Sequence, residues 1–130
     1  MTHDLMTIGE MCATFDVTPR TLRFYESREL LAPMRDGSKR LFTRRDRARL
    51  KLILRGKRFG FSLEEIRQLL ELYEVGDQQM TQLVKTHELG IRHLDEMVAR
   101  RDELTLAIAD LREQLDLVEA LLTDRQKVAG

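Results

Sequence analysis

From Met80 to Leu122 apolar residues recur at alternating spacings of three and four, and this pattern limits the possible folds more than any other feature of the chain. The positions are Met80, Leu83, His87, Gly90, Leu94, Met97, Arg101, Leu104, Ile108, Leu111, Leu115, Val118 and Leu122, ten of the thirteen apolar. That is the a/d seam of a coiled coil. A helix over roughly residues 79–122 would be about 65 Å long at 1.5 Å per residue. The residues that precede it form too small a body to cover such a stripe, so a second subunit is its simplest cover. Pairing contacts are expected from Leu94, Met97, Leu104, Ile108, Leu111, Leu115 and Val118. His87 and Gly90 weaken the start of the seam and Arg101 interrupts it; they either pack on the chain's own domain or fix register. The seam is compatible with parallel and with antiparallel pairing.

The N-terminal half reads as short helices divided by start signals. Thr7-Ile8-Gly9-Glu10 is a capping box, in which the Thr hydroxyl and the Glu carboxylate satisfy amides at opposite ends of the first turn. Ile8, Met11 and Phe15 follow at helical spacing. Asp16-Val17-Thr18 interrupts, and Thr18-Pro19 opens a second helix, with proline where its missing amide is harmless. Two short helices joined by a tight turn make a helix-turn-helix candidate. The second helix should end near Arg28-Glu29. Leu31-Ala32-Pro33-Met34-Arg35 then reads as extended because Pro33 disfavours helix at Ala32. Asp36-Gly37-Ser38 supplies a turn, and Lys39-Arg40-Leu41-Phe42 returns as a partner strand, a small basic wing. Thr43 caps a third helix to about Gly56-Lys57, with Leu50, Ile53 and Leu54 on one face. After Gly60, Ser62-Leu63-Glu64-Glu65 is a second capping box, opening a helix lined by Leu63, Ile66, Leu69, Leu70 and Tyr73. Val75-Gly76-Asp77 is the natural boundary. The expected organisation is therefore mainly α: a winged helix-turn-helix domain at residues 1–76, then a long dimerisation helix and short tail at residues 77–130.

The formal net charge of zero hides a division. Residues 20–58 hold 14 Lys and Arg against 4 Asp and Glu, whereas residues 77–130 hold 7 against 11. So dense a cationic segment repels itself unless it meets a polyanion or stays fully solvated, and the first reading points to nucleic acid. Several classes drop out. No window approaches 18 uninterrupted apolar residues, so no membrane span is expected. Met1-Thr2-His3-Asp4-Leu5 has neither the basic flank nor the apolar run of a signal peptide. The single cysteine, Cys12, rules out an internal disulfide and fits a reducing cytoplasm. No Ser/His/Asp order, phosphate-cradling glycine loop, metal cluster or isolated carboxylate pair stands out, so no catalytic or metal-binding residue and no cofactor is assigned. His87 and His93 are six apart and do not share a helical face at metal-ligand spacing.

The most informative stretch is Thr18-Pro19-Arg20-Thr21-Leu22-Arg23-Phe24-Tyr25-Glu26. On a helix, Arg20, Arg23 and Tyr25 can project where a recognition helix meets base edges and phosphates. The Arg23 fork suits a guanine edge or a phosphate, because it holds two donors in fixed geometry. The alternative is a surface ion pair between Arg23 and Glu26, with the aromatics in the core. For Phe24 the core is the expectation.

Thr21-Leu22-Arg23-Phe24-Tyr25-Glu26, then Leu30-Leu31, Arg40-Leu41-Phe42 and Phe59-Gly60-Phe61-Ser62-Leu63-Glu64-Glu65-Ile66, resemble in their order the MerR family of transcription regulators. The resemblance covers about residues 7–75 closely, and the long pairing helix matches in kind. It implies a homodimer on a pseudo-palindromic promoter operator, which distorts double-stranded DNA between promoter elements so that RNA polymerase can engage both. Carried onto this chain, it implies DNA contacts from Thr18, Arg20, Arg23 and Tyr25, from Arg40 of the wing with Arg44 and Arg45 nearby, and from Lys57 and Arg58 before a second wing at Phe59-Gly60-Phe61. Phe42 departs from the tyrosine common in the family and removes one hydroxyl–phosphate bond. Metal-sensing members use cysteines beside the pairing helix. This chain has none after residue 12, so a thiolate centre is not expected, and any effector would be a small non-metal molecule near Tyr73, Met80 and Leu83. Few residues follow Leu122, and no separate ligand-binding domain is expected there. Leu52-Ile53-Leu54-Arg55-Gly56-Lys57-Arg58-Phe59-Gly60-Phe61 is similar to a subgroup controlling branched-chain amino acid and acyl-CoA catabolism, which makes an acyl-CoA one candidate effector. The competing class is a coiled-coil architectural or interaction module with non-specific DNA binding; there, losing Arg23 would weaken all sequences alike.

Overall fold

A computed structural model describes residues 4–75 and 80–129, together with the side chains of 4–72 and 80–129. The elements run β1 (Met6–Thr7), α1 (Ile8–Phe15), α2 (Pro19–Ser27), β2 (Met34–Asp36), β3 (Lys39–Phe42), α3 (Arg44–Arg58), α4 (Leu63–Val75) and α5 (Met80–Ala129). The chain is mainly helical, with a small wing sheet beside a helix-turn-helix and a long C-terminal helix. The boundary expected at 76/77 and the Tyr73 side chain lie outside the described residues. The described chain falls into two compact units, Met1–Thr86 and His87–Gly130.

Each short helix starts where its cap predicts. Glu10 N donates to Thr7 Oγ1 at 3.2 Å, and Thr7 N donates to Glu10 Oε1 at 2.9 Å. Thr21 N donates to Thr18 Oγ1 at 3.1 Å with Pro19 opening the helix. The same reciprocal pattern ties Ser62 to Glu65 at 3.2 and 2.8 Å. Such caps stabilise a helix start by about 1 kcal/mol each. The α1–α2 turn closes through Asp16 in the left-handed region, φ 54°.

The sheet has the order β1-β3-β2, antiparallel throughout. Met34 pairs with Leu41, Arg35 with Arg40 and Asp36 with Lys39, so the wing turn falls at Gly37, whose φ of 64° suits glycine. β1 escaped the sequence reading. Its two residues pair Met6 with Phe42 and Thr7 with Leu41, and two residues cannot display an alternating pattern.

The first unit packs around Met11, Leu22, Tyr25, Leu30, Leu31, Phe42, Leu50, Ile53, Ile66 and Leu70. Asp46 is the buried charged residue among them, 2% exposed, and it is fully engaged. Oδ1 accepts from Ala32 N at 3.0 Å, and Oδ2 accepts from Thr43 N at 3.0 Å and Thr43 Oγ1 at 3.1 Å. One carboxylate thus caps α3 and fixes the segment entering the wing. Gly56 lets α3 and α4 meet closely: a Cβ there would stand 2.9 Å from Ile66 Cγ1.

α5 runs to Ala129, seven residues past the expected end, because Thr-Asp-Arg-Gln-Lys-Val-Ala contains no helix breaker. At 50 residues it is about 75 Å long. From Ile91 onward every large apolar side chain on it is exposed in the single chain, including Leu94, Met97, Leu104, Ile108, Leu111, Leu115 and Val118.

Candidate nucleic-acid interface

Helix α2 sorts its side chains by register. Leu22 and Tyr25, three apart, face the core and are 0% and 2% exposed, whereas Arg20, Arg23, Phe24 and Ser27 are exposed. Two expectations reverse here. Tyr25 is a core aromatic, 2% exposed, and Phe24 lies on the surface, 42% exposed. Once Leu22 faces inward, 100° per residue places Tyr25 beside it and Phe24 on the far side. The Thr18 hydroxyl is occupied by the helix cap and by Thr21 Oγ1 at 2.9 Å.

The expected alternative for Arg23, an ion pair with Glu26, is not formed. Glu26 Oε1 accepts from Arg40 Nε at 2.5 Å, and Oε2 accepts from Arg35 Nη2 at 2.7 Å. One carboxylate on α2 therefore holds both wing strands. Partial burial would raise the Glu26 pKa, but hydrogen bonds and charge from Arg40 and Arg35 outweigh it and hold the carboxyl below the usual range. Arg20 and Arg23 form no ion pair among the described residues. Arg23, Lys39 and Arg40 line one open groove with Thr7, Ile8 and Ser38, between α2 and the wing turn. Arg23 and Lys39 bring unpaired charge to that groove among the described residues, while the Arg40 charge is shared with Glu26.

The remaining cations divide into two groups. Arg47 donates to the Asp4 carbonyl at 2.7 Å, Arg49 to the Leu30 carbonyl at 2.7 Å and Arg67 to the Arg28 carbonyl at 2.6 Å. These guanidiniums staple loops to α3 and α4, which accounts for part of the positive charge without any polyanion. Arg44 meets Asp4 at 2.9 Å yet stays 79% exposed, and Arg45, Lys57 and Arg58 are exposed at the two ends of α3. Two surface features were missed. Lys39 shares the Arg23 groove, as its place after the wing turn could have indicated. Lys51 and Arg55 extend the Arg44 side of α3 into a cationic groove with Arg47, Ala48 and Leu52, which the i, i+7, i+11 spacing contained.

Other chemistries find little purchase. Among the described residues no group of three or more His, Cys, Asp or Glu is placed to hold a metal ion. Cys12 is partly buried against the core, and His93 Nδ1 lies 4.0 Å from Glu96 Oε2. No helix among the described residues is long and apolar enough to cross a membrane.

Comparison with known proteins points the same way as the geometry. Residues 6–72 match the MerR HTH family regulatory protein description, and residues 47–123 match the MerR DNA-binding description. The chain is similar to the HTH-type transcriptional regulator HmrR of Rhizobium leguminosarum bv. viciae, 31% identical over 82% of this chain and 83% of that protein. It is 42% identical to the HTH-type transcriptional regulator ZntR of Escherichia coli K12 over 50% of this chain; that match spans 48%, about half, of the relative's own length. Among solved structures, HiNmlR, a MerR family regulator bound to promoter DNA, aligns with a TM-score of 0.61 and 26% identity over 76% of each chain. PbrR691 of Ralstonia metallidurans CH34, in complex with lead(II), aligns with a TM-score of 0.61 and 30% identity over 83% of this chain and 85% of that one.

Proposed function

This chain belongs to the MerR family of helix-turn-helix regulatory proteins, and from that premise we propose that it regulates transcription as a homodimer on a pseudo-palindromic promoter operator. The observation that carries this reading is the outward face of α2. Among the described residues Arg20 and Arg23 stand there without ion pairs, beside a wing that Glu26 holds in place. In this reading Arg20 and Arg23 reach base edges or phosphates from the major groove, and Arg40, Arg44, Arg45, Lys57 and Arg58 serve the backbone, joined by Lys39. Thr18 acts through the helix cap. Residues 1–76 bind DNA and residues 77–130 pair the subunits.

Pairing is supported by the exposed seam of α5. Seven side chains from Leu94 to Val118 lie 41–61% exposed at a/d spacing, and burying them against a second copy would favour association by about 25 cal/mol per Å² of apolar surface before the entropic cost of pairing is subtracted. The dimer then offers two recognition helices to two half-sites, and bending the intervening promoter DNA for RNA polymerase is the regulatory step. The effector in this reading is a small non-metal molecule, because the one cysteine lies in α1, against the core. An acyl-CoA is one candidate for that molecule. Footprinting on the DNA upstream of the protein's own coding sequence, with and without acyl-CoA thioesters, tests the reading. Protection of a two-fold symmetric site is expected. Uniform, salt-sensitive coverage of any DNA would favour the architectural alternative.

A further inference from the structure

Phe24 is 42% exposed on α2, an aromatic ring on a surface position. It shares the outward face with Arg20 and Arg23, since Leu22 and Tyr25 occupy the inward one. The ring is nevertheless held. The Arg28 guanidinium lies over it, 5.5 Å from the centroid, and the Tyr25 ring stands 5.8 Å away at an interplanar angle of 54°. The Arg28 main chain is tied down in turn, because Arg67 donates to its carbonyl at 2.6 Å. The Ser27 hydroxyl donates to the Phe24 carbonyl at 2.6 Å. The result is an apolar surface, fixed in place, between cations on the face that the proposed function turns toward DNA.

A phenyl ring has no donor or acceptor, so it cannot read a phosphate or a polar base edge by hydrogen bonding. The apolar group that base pairs present in the major groove is the C5 methyl of thymine. We propose that Phe24 is a specificity-determining residue that packs against a thymine methyl in each half-site, while Arg28 over its ring meets the neighbouring phosphate. This rests on the regulator reading and adds one base preference to it. Burying a single methyl corresponds to a roughly three- to fivefold change in affinity.

The test uses full-length protein and a binding site selected from a random duplex pool. Each thymine of that site is replaced in turn by deoxyuridine, which removes the methyl and keeps the pairing edge, and Kd is measured at fixed salt for wild type and Phe24→Ala. The expected result is one thymine per half-site whose replacement weakens wild type three- to fivefold and leaves the variant unchanged. A selected site at which no thymine methyl matters to wild type overturns this proposal alone, as does a variant that keeps the wild-type methyl dependence. The uracil series on wild type decides the first point even if the variant fails to fold. A selection that returns no preferred site overturns the regulator reading, and this proposal with it.

Discussion

Glu26 Oε1 accepts a hydrogen bond from Arg40 Nε at 2.5 Å across fourteen residues of sequence, joining the recognition helix to the strand that carries the wing. With Arg35 on the other oxygen, the angle between helix and wing is set by one carboxylate. Glu26→Gln should cost about 1 kcal/mol, discounted because Arg35 is half exposed. It should weaken operator binding although Glu26 carries the same charge sign as the phosphates. Tighter binding after removal of this negative charge would show that the clamp does not position the wing.

The clamp also has a pH dependence of fixed sign. Its carboxyl titrates below the ordinary 4.5 in the folded chain, so its stabilisation is complete above that pH and lost as the pH falls through the depressed value. Urea midpoints of wild type and Glu26→Gln should differ by a constant amount from pH 7 to 5 and converge below about 4.5. A difference that shrinks between pH 7 and 6 would contradict the assignment.

Tyr25 separates packing from recognition. Tyr25→Phe should leave DNA affinity within about twofold if the buried ring serves packing alone, whereas Tyr25→Ala should lower stability by about 3–5 kcal/mol. A folded Tyr25→Phe variant with a large affinity loss would return the residue to the interface.

Arg23 and Lys39 share a groove but should behave differently. Arg23→Ala should cost about 1–3 kcal/mol on the operator and relax base preference. Lys39→Ala should weaken all sequences alike and reduce the salt slope by about 1. Binding isotherms on operator and random duplex at several salt concentrations distinguish them; equal losses for Arg23→Ala on both duplexes would mean that it contacts only backbone.

Gly56→Ala should destabilise the first unit by about 1–3 kcal/mol, since the new methyl meets Ile66 at 2.9 Å. Thermal melts of Gly56→Ala and of the double variant with Ile66→Val test this, and recovery in the double variant is expected. A single variant as stable as wild type would show that the α3–α4 crossing adapts freely.

Much of this was legible from residues whose signals are local. Thr7, Thr18, Thr43 and Ser62 announced four helix starts, Pro33 and Gly37 the wing, and the a/d spacing the long helix. What the sequence concealed depends on contacts across distance. The inward turn of Tyr25 follows only once Leu22 is known to face the core. Glu26 finds Arg35 and Arg40 rather than Arg23 because the wing folds back on α2. Not every cation of the run is turned to the surface, since Arg47 and Arg49 donate to carbonyls 43 and 19 residues away. Thr43 read as the cap of α3, but its reciprocal partner Asp46, which also binds the Ala32 amide, drew no reading from the sequence.

The most direct test of the account is the number of chains bound per operator duplex, measured by sedimentation equilibrium for wild type and Leu111→Asp. Two wild-type chains per duplex are expected. The variant, with a charge placed in the seam, should sediment as a folded monomer that no longer separates its operator from competitor DNA at moderate ionic strength. One chain per duplex, or a Leu111→Asp protein that still binds as a pair, would contradict it.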